Sequence, residues 1–239
     1  PPAPSAARGG GAGSKRPEHC HGGPGAQGAG DATTAQEQAR TDRDSGVLLV
    51  RDAGSPLDTR WVHGRRDLPR LVRAGRHLAR PKRYLRHYGL ELDDVAQLPE
   101  AVRREARQGD GWVKIVGDWI DRDLGAQGDL RPLWPDAVLA EAVAAAHAEA
   151  ARVTRHAFSD EVIPSLLAAG VDGIEHGTGI HPDLMYEISE RGVAVTPTLL
   201  QIGQFENIAR QADARFAVFA ARMRRLHERR SGQAGGGPA

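Results

Sequence analysis

Two stretches near the middle of the chain decide its fold: RVTRHAF, residues 152–158, and GVDGIEHGTG, residues 170–179. Each is apolar for several residues and then presents a histidine, His156 in the first and His176 in the second. Between them, apolar residues recur with a 3.6-residue period until Gly170, which is a typical helix stop. The pattern predicts a strand, a helix and a second strand, with one histidine at the carboxyl end of each strand.

Histidines placed one βα unit apart are expected to converge, because the carboxyl ends of successive parallel strands lie side by side. Paired imidazoles at such an edge suggest a metal site shared by His156 and His176. Strand alternation turns the neighbouring Arg155 away from His156 and towards the helix layer, where its charge needs an acidic partner.

Strands and helices alternate along the rest of the chain. The predicted strands cover residues 46–54, 82–89, 111–119 and 192–199. The predicted helices cover residues 31–44, 67–79, 99–108, 136–151, 182–191 and 205–230. With 239 residues, near the roughly 250 of a typical (β/α)8 barrel, this order predicts an α/β fold of the TIM-barrel type.

The domain organisation follows from composition. Residues 1–18 are rich in proline, glycine and alanine and predict a disordered head. Residues 19–230 are predicted to form the barrel domain, and residues 231–239 a flexible tail.

Charge and cysteine content exclude several classes of protein. The chain has 32 Lys+Arg against 31 Asp+Glu, a formal net charge of +1, which gives no electrostatic case for a nucleic acid or membrane partner. The single cysteine, Cys20, excludes an intramolecular disulfide, and no apolar run approaches the length of a membrane span. We therefore expect a cytoplasmic protein that acts on a small-molecule substrate, as a monomer or a homo-oligomer.

Lys114 lies inside the apolar run WVKIV in a chain whose basic residues are nearly all arginine, Lys15 and Lys82 being the other lysines. A buried lysine is costly unless it is modified or paired. One interpretation is a carbamate, formed when the neutral amine reacts with carbon dioxide, which is a chemistry that arginine lacks. The other is a lysine that extends to a strand-end loop or pairs with Asp118.

Other histidines fall into two groups. His19 and His21 form an H-C-H motif, whose alternation on an extended segment directs both imidazoles to one side. Together with a carboxylated lysine they suit zinc or a similar divalent ion that keeps one position open for water. His181 and His87 lie in or near strand-end loops and are candidates for substrate contact, whereas His77 is predicted to lie on the basic helix at 67–79 as scaffold.

These segments, taken in order, resemble the amidohydrolase superfamily, in particular its imidazolonepropionase-like and Xaa-Pro dipeptidase-like branch. HCH, WVKIVGD, RVTRHAF and GVDGIEHG match the family elements that end strands one, four, five and six. LLVRDAGSP and GVAVTPTLL are similar to its second and seventh strands. The resemblance covers roughly residues 19 to 230.

The resemblance implies a metal-dependent hydrolase of amide bonds, acting on a dipeptide, an N-acyl amino acid or a cyclic amide. It implies two divalent ions, zinc by preference, bridged by carboxylated Lys114, with His19 and His21 on one ion and His156 and His176 on the other. The family also has a proton-shuttling aspartate at the end of strand eight, and no residue here matches it. We therefore expect an incomplete barrel, with strand one degraded and strand eight missing, and slow or absent turnover.

Two alternatives stay open. A barrel lyase or isomerase with a single metal would also place histidine and lysine at strand ends, with Lys114 as a base or a Schiff-base residue. In the second alternative, the chain is a truncated, non-catalytic remnant that binds metal weakly or associates with other chains.

Overall fold

The computed structural model describes residues 32–85 and 87–235, with side chains described up to residue 229. The predicted head and the H-C-H motif with His19 and His21 lie outside the described residues, as do the last four residues of the predicted tail.

Most of the predicted strands are present. They are β1 (Leu49–Asp52), β2 (Arg70–Arg73), β3 (Leu78–Ala79), β4 (Leu90–Glu91), β5 (Trp112–Val116), β6 (Asp118–Ile120), β7 (Leu130–Pro132), β8 (Arg152–Ala157), β9 (Gly173–His176) and β10 (Ala194–Thr196). Six of them form one parallel sheet in the order β10-β9-β8-β5-β3-β4. Two smaller sheets pair β1 with β2 in parallel and β6 with β7 in antiparallel.

The helices follow the strands as expected for βα units. They are α1 (Ala32–Asp44), α2 (Leu98–Gln108), α3 (Asp136–Ala148), α4 (Ile163–Ala169), α5 (Met185–Glu190), α6 (Leu199–Gly203), α7 (Phe205–Ala212) and α8 (Ala217–Gly235). Gly170, with a φ of 78°, ends α4 in the left-handed conformation that glycine adopts without strain. Across the residues that the structure describes, none of these helices is long and apolar enough to cross a bilayer.

Helices α2, α3 and α4 cover one face of the large sheet. Their apolar faces meet Val113 and Ile115 of β5, Val153 of β8 and Ile174 of β9, and these strand residues are almost completely buried. Because neighbouring residues of a strand point to opposite faces, Lys114, Thr154 and Glu175 lie on the other face of the sheet.

A second apolar cluster packs beyond the carboxyl end of β8. Phe158, which directly follows that strand, contacts Phe205 of α7, and α7 and α8 form a helical pair that completes the cluster. The stretch 205–230, predicted as one long or broken helix, is broken into α7 and α8, and α8 extends to Gly235, into the stretch predicted as a tail.

Three predictions about the fold need correction. The α/β class and the parallel sheet are confirmed, but the described residues form an open sheet and not a closed barrel. The predicted helix at 67–79 is wrong: this stretch forms β2 and β3, because a short apolar run such as Leu71–Val72 fits either period. The predicted strand at 82–89 is also wrong, since its described residues form turns before β4.

Candidate metal centre

The sheet brings His156 and His176 together, as the strand–helix–strand pattern predicts. β8 and β9 are parallel neighbours, with His156 opposite Glu175 and Ala157 opposite His176. The two imidazole rings lie 4.6 Å apart between centroids, at an interplanar angle of 75°. Phe158 packs against both rings, at 4.3 Å from His156 and 4.7 Å from His176.

The ring nitrogen atoms of this pair are almost without partners. Neither nitrogen of His156 has a hydrogen bond, although its Nε2 lies 3.5 Å from a carboxylate oxygen of Asp118. His176 has one partner, the hydroxyl of Thr198 at 2.6 Å from Nδ1, and its Nε2 has none. Buried nitrogen atoms without a partner are costly, so such atoms call for a functional explanation.

Both imidazoles are held neutral. Burial, followed by the proximity of His176 and Lys114, lowers the pKa of His156 well below its usual range. Burial and the Lys114 charge lower the pKa of His176 to about 3. A neutral imidazole keeps a lone pair on one nitrogen, and that lone pair is what a metal ion binds.

Lys114 belongs to the same cluster. Its side chain is 3% exposed, and it lies on the sheet face opposite the helix layer, close enough to lower the pKa values of both histidines. Burial lowers the pKa of Lys114 to about 7, against the attraction of Glu175, which raises it. At neutral pH a large fraction of this amine is therefore uncharged and nucleophilic.

Glu175 and Arg51 form an ion pair beside Lys114. The Arg51 guanidinium donates to Glu175 at 2.6 Å and lies 4.6 Å from the centroid of the Trp112 ring, while the Thr154 hydroxyl donates to Glu175 at 2.6 Å. Burial alone would raise the pKa of Glu175, but Lys114, Thr154 and Arg51 outweigh it and the pKa is lowered. The carboxylate is therefore ionised and satisfied at neutral pH.

Asp118 anchors the loop that follows His156. Its carboxylate is fully buried and accepts the backbone N–H groups of Phe158, at 3.0 Å, and Ser159, at 2.5 Å. Burial raises the pKa of Asp118 to about 6, even though these hydrogen bonds and Arg155 lower it. Arg155 is 2% exposed and lies on the helix side by strand alternation, and burial lowers its pKa although the negative charges of Asp118 and Asp136 raise it.

Two residues of the cluster, His77 and Tyr84, were not predicted as part of it. His77, predicted as helical scaffold, is buried, has no partner for its Nε2, and packs edge-on against Tyr84 at 5.1 Å. The Tyr84 ring in turn lies 5.1 Å from His156 and 5.0 Å from Trp119. Burial and the Lys114 charge lower the pKa of His77 to about 4.

The two substrate-contact candidates lie at the surface. His181 is exposed and its Nδ1 lies 3.0 Å from a carboxylate oxygen of Asp183. His87 is exposed in a turn, with a φ of 65°. Their role in binding a substrate stays a prediction.

The residues fit a metal ion in part. Within the ranges 32–85 and 87–235, no three side chains of His, Cys, Asp or Glu are grouped so that they alone could hold an ion. The unpartnered nitrogen atoms of His156 and His176 do fit two ligand positions, and a carboxylated Lys114 has the oxygen atoms for a third.

The chain is similar in sequence to a longer known protein. No family model matches the chain. An uncharacterized protein of Mycobacterium tuberculosis (strain ATCC 25618 / H37Rv) is 52% identical over 215 residues, which are 90% of this chain and 57% of that protein. The chain therefore spans a little over half the length of this curated relative.

Solved structures that resemble the chain are amidohydrolase-family members. A putative prolidase from Bifidobacterium longum superposes with a TM-score of 0.65 at 21% identity, over 82% of this chain and 50% of its own. A Xaa-Pro dipeptidase with bound methionine gives 0.63 at 21%, over 81% and 52%, and an amidohydrolase 0.58 at 24%, over 75% and 49%. The resemblance predicted from the motifs is confirmed at the level of the fold.

Proposed function

We propose that this chain, whose fold resembles that of solved amidohydrolases, is a metal-dependent hydrolase that cleaves amide (non-ester C–N) bonds in a small substrate. A dipeptide, an N-acyl amino acid or a cyclic amide is the proposed substrate class. The observation that carries the proposal is the pair formed by His156, which is buried, and His176, which is partly buried: two neutral imidazoles at adjacent parallel strand ends, with inaccessible nitrogen atoms that have no partner.

Each residue of the cluster has a proposed role. His156 and His176 would hold a divalent ion, zinc by preference, and Lys114 as a carbamate would bridge it to a second ion held by His19 and His21. When bound, such an ion lowers the pKa of a water ligand and polarises a carbonyl group. In forming the carbamate, the neutral Lys114 amine bonds to the carbon of carbon dioxide and releases one proton.

The remaining residues keep these groups in position. The buried carboxylate of Asp118 accepts two backbone N–H groups of the loop after His156 and so anchors that loop next to the imidazole. Phe158 packs against both imidazoles, and Phe205 packs against Phe158, so this side of the pair is apolar. Glu175, tied to Arg51 and Thr154, keeps a negative charge near the Lys114 amine.

Zinc content tests the proposal. The purified chain is exchanged into excess zinc, desalted and analysed for metal, beside the double variant His156→Ala, His176→Ala. A matched control replaces two surface histidines, His63 and His147, which bind only surface carboxylates. We expect the control to keep the parent's zinc content and the cluster variant to lose it. Equal metal in the cluster variant and the parent overturns the proposal.

A second candidate function is association with another polypeptide, without catalysis by this chain alone. One observation favours it: β1 and β10 each end a sheet among the described residues, with the apolar side chains of Leu48, Leu49 and Val195 exposed beside them. Unpaired strand edges with apolar neighbours are surfaces on which further strands pair. Sedimentation of the purified chain over a hundredfold concentration range distinguishes a monomer from a self-associating species.

A further inference from the structure

Two strained residues meet at the candidate metal centre. His176 has a φ of 71°, and the N–H of Gly177 donates to the Glu175 carbonyl at 3.0 Å, which closes a three-residue γ-turn around the histidine. Thr198 has φ 30° and ψ 57°, a left-handed conformation that β-branched residues rarely adopt. γ-turns with positive φ are also rare and strained. Strain of this kind persists where the surrounding structure imposes it, and it clusters at functional sites.

A side-chain hydrogen bond joins these two residues. The Thr198 hydroxyl lies 2.6 Å from Nδ1 of His176, although the residues come from different elements, the end of β9 and the start of α6. Thr198 occupies the N-cap position of α6, where a threonine hydroxyl ordinarily accepts a backbone N–H of the first helical turn. Here it makes no capping hydrogen bond. The hydroxyl is directed to the histidine instead of its own helix.

We infer that Thr198 is a positioning residue that accepts the Nδ1–H of His176 and thereby leaves the Nε2 lone pair of this imidazole available to a divalent cation. This inference rests on the proposed function and deepens it, since it assigns a tautomer to one of the two proposed ligands. Outer partners of this kind fix the ring orientation and the tautomer of metal-binding histidines.

The surroundings of the ring favour this tautomer. A neutral imidazole carries one N–H, and in His176 only Nδ1 has a partner. A proton on Nε2 would leave a buried donor without an acceptor, whereas a proton on Nδ1 is satisfied by the Thr198 oxygen. The γ-turn at His176 and the left-handed conformation at Thr198 lie at the two residues that this hydrogen bond joins.

Three variants test the role of Thr198. Thr198→Val removes the hydroxyl and keeps the β-branched shape, whereas Thr198→Ser keeps the hydroxyl. Thr178→Val is the matched control, because the Thr178 hydroxyl also lies beside the cluster, where it donates to the Phe158 carbonyl at 2.8 Å. Two properties are measured: zinc affinity, by competition with a chromophoric chelator, and the His176 tautomer in the metal-free chain, by long-range ¹H–¹⁵N NMR.

We expect His176, assigned by the resonances lost in His176→Ala, to show a protonated Nδ1 and a bare Nε2 in the parent and in Thr198→Ser. Thr198→Val is expected to lose this tautomer preference and to bind zinc about 10- to 100-fold more weakly. Thr198→Ser and Thr178→Val should stay within about threefold of the parent, as expected when the hydroxyl and not the fold is responsible.

A parent that carries its proton on Nε2 overturns the inference, and so does a Thr198→Val variant with the parent's tautomer and affinity. Equal losses in Thr198→Ser or Thr178→Val also overturn it, because they indicate a general structural effect. If the parent binds no zinc, the proposed function fails, and the NMR measurement still decides whether Thr198 sets the tautomer.

Discussion

Replacing Lys114 with methionine should stabilise the metal-free chain at neutral pH, because folding buries the amine among groups that only partly compensate its charge. The side chain is 3% exposed, and burial lowers its pKa from the ordinary 10.5 to about 7. Methionine has a similar length and no charge. Glu175, the acidic neighbour, keeps its hydrogen bonds with Arg51 and Thr154 in the variant, so no carboxylate is left unsatisfied.

The pKa shift sets the magnitude and its pH window. The folded-state pKa of Lys114 lies below the unfolded-state value, so below about pH 7 the amine is protonated in both states and the full penalty applies. At ~1.4 kcal/mol per pKa unit, that penalty is up to ~5 kcal/mol. Above pH 10.5 the amine is neutral in both states and the penalty disappears. The stability of the parent should therefore rise with pH across this window.

Denaturant unfolding at several pH values between 6.5 and 10.5 measures this effect, in buffer free of metal and of carbon dioxide. The difference in the free energy of unfolding between Lys114→Met and the parent should be largest at the acidic end and shrink towards zero at the alkaline end. Lys82→Met, at an exposed position, is the control and should show no such trend. A difference that stays constant with pH, or a methionine variant less stable than the parent at pH 7, refutes the reasoning.

Two further predictions concern the loops around the cluster. Asp118→Ala removes the acceptor of two backbone N–H groups, those of Phe158 and Ser159. It should lower the free energy of unfolding by about 1–3 kcal/mol for each of these groups. Chemical denaturation measures the change, and an unchanged midpoint contradicts the prediction. The double variant His87→Ala, His181→Ala should keep the parent's zinc content, because both residues are exposed, and raise KM for an N-acyl amino acid or dipeptide substrate. A drop in bound zinc would place one of them at the metal.

The β8–α4–β9 unit could be predicted from sequence because each of its parts has a local signal. Arg152–Ala157 is long enough for strand alternation to place Arg155 and His156 on opposite faces, and Gly170 marks the end of the helix. The contact between His156 and His176 then follows from the geometry of adjacent parallel strands.

The contribution of His77 and Tyr84 could not be predicted in the same way. β3 has only two residues, Leu78–Ala79, and a strand that short leaves no periodicity to distinguish it from a helix. Tyr84 reaches the cluster through a turn with a φ of 129°, a conformation that the sequence of that turn does not specify. The hydrogen bond between His176 and Thr198 likewise joins two non-glycine residues with positive φ, a conformation that their sequence does not specify.

Anomalous diffraction at the zinc edge, from crystals grown with zinc and bicarbonate, tests the central claim most directly. The account predicts a peak at about 2.0–2.1 Å from an imidazole nitrogen of both His156 and His176, with carbamate density on the Lys114 amine. Zinc bound only elsewhere on the chain, or an unmodified Lys114 with no metal between the two histidines, would contradict it.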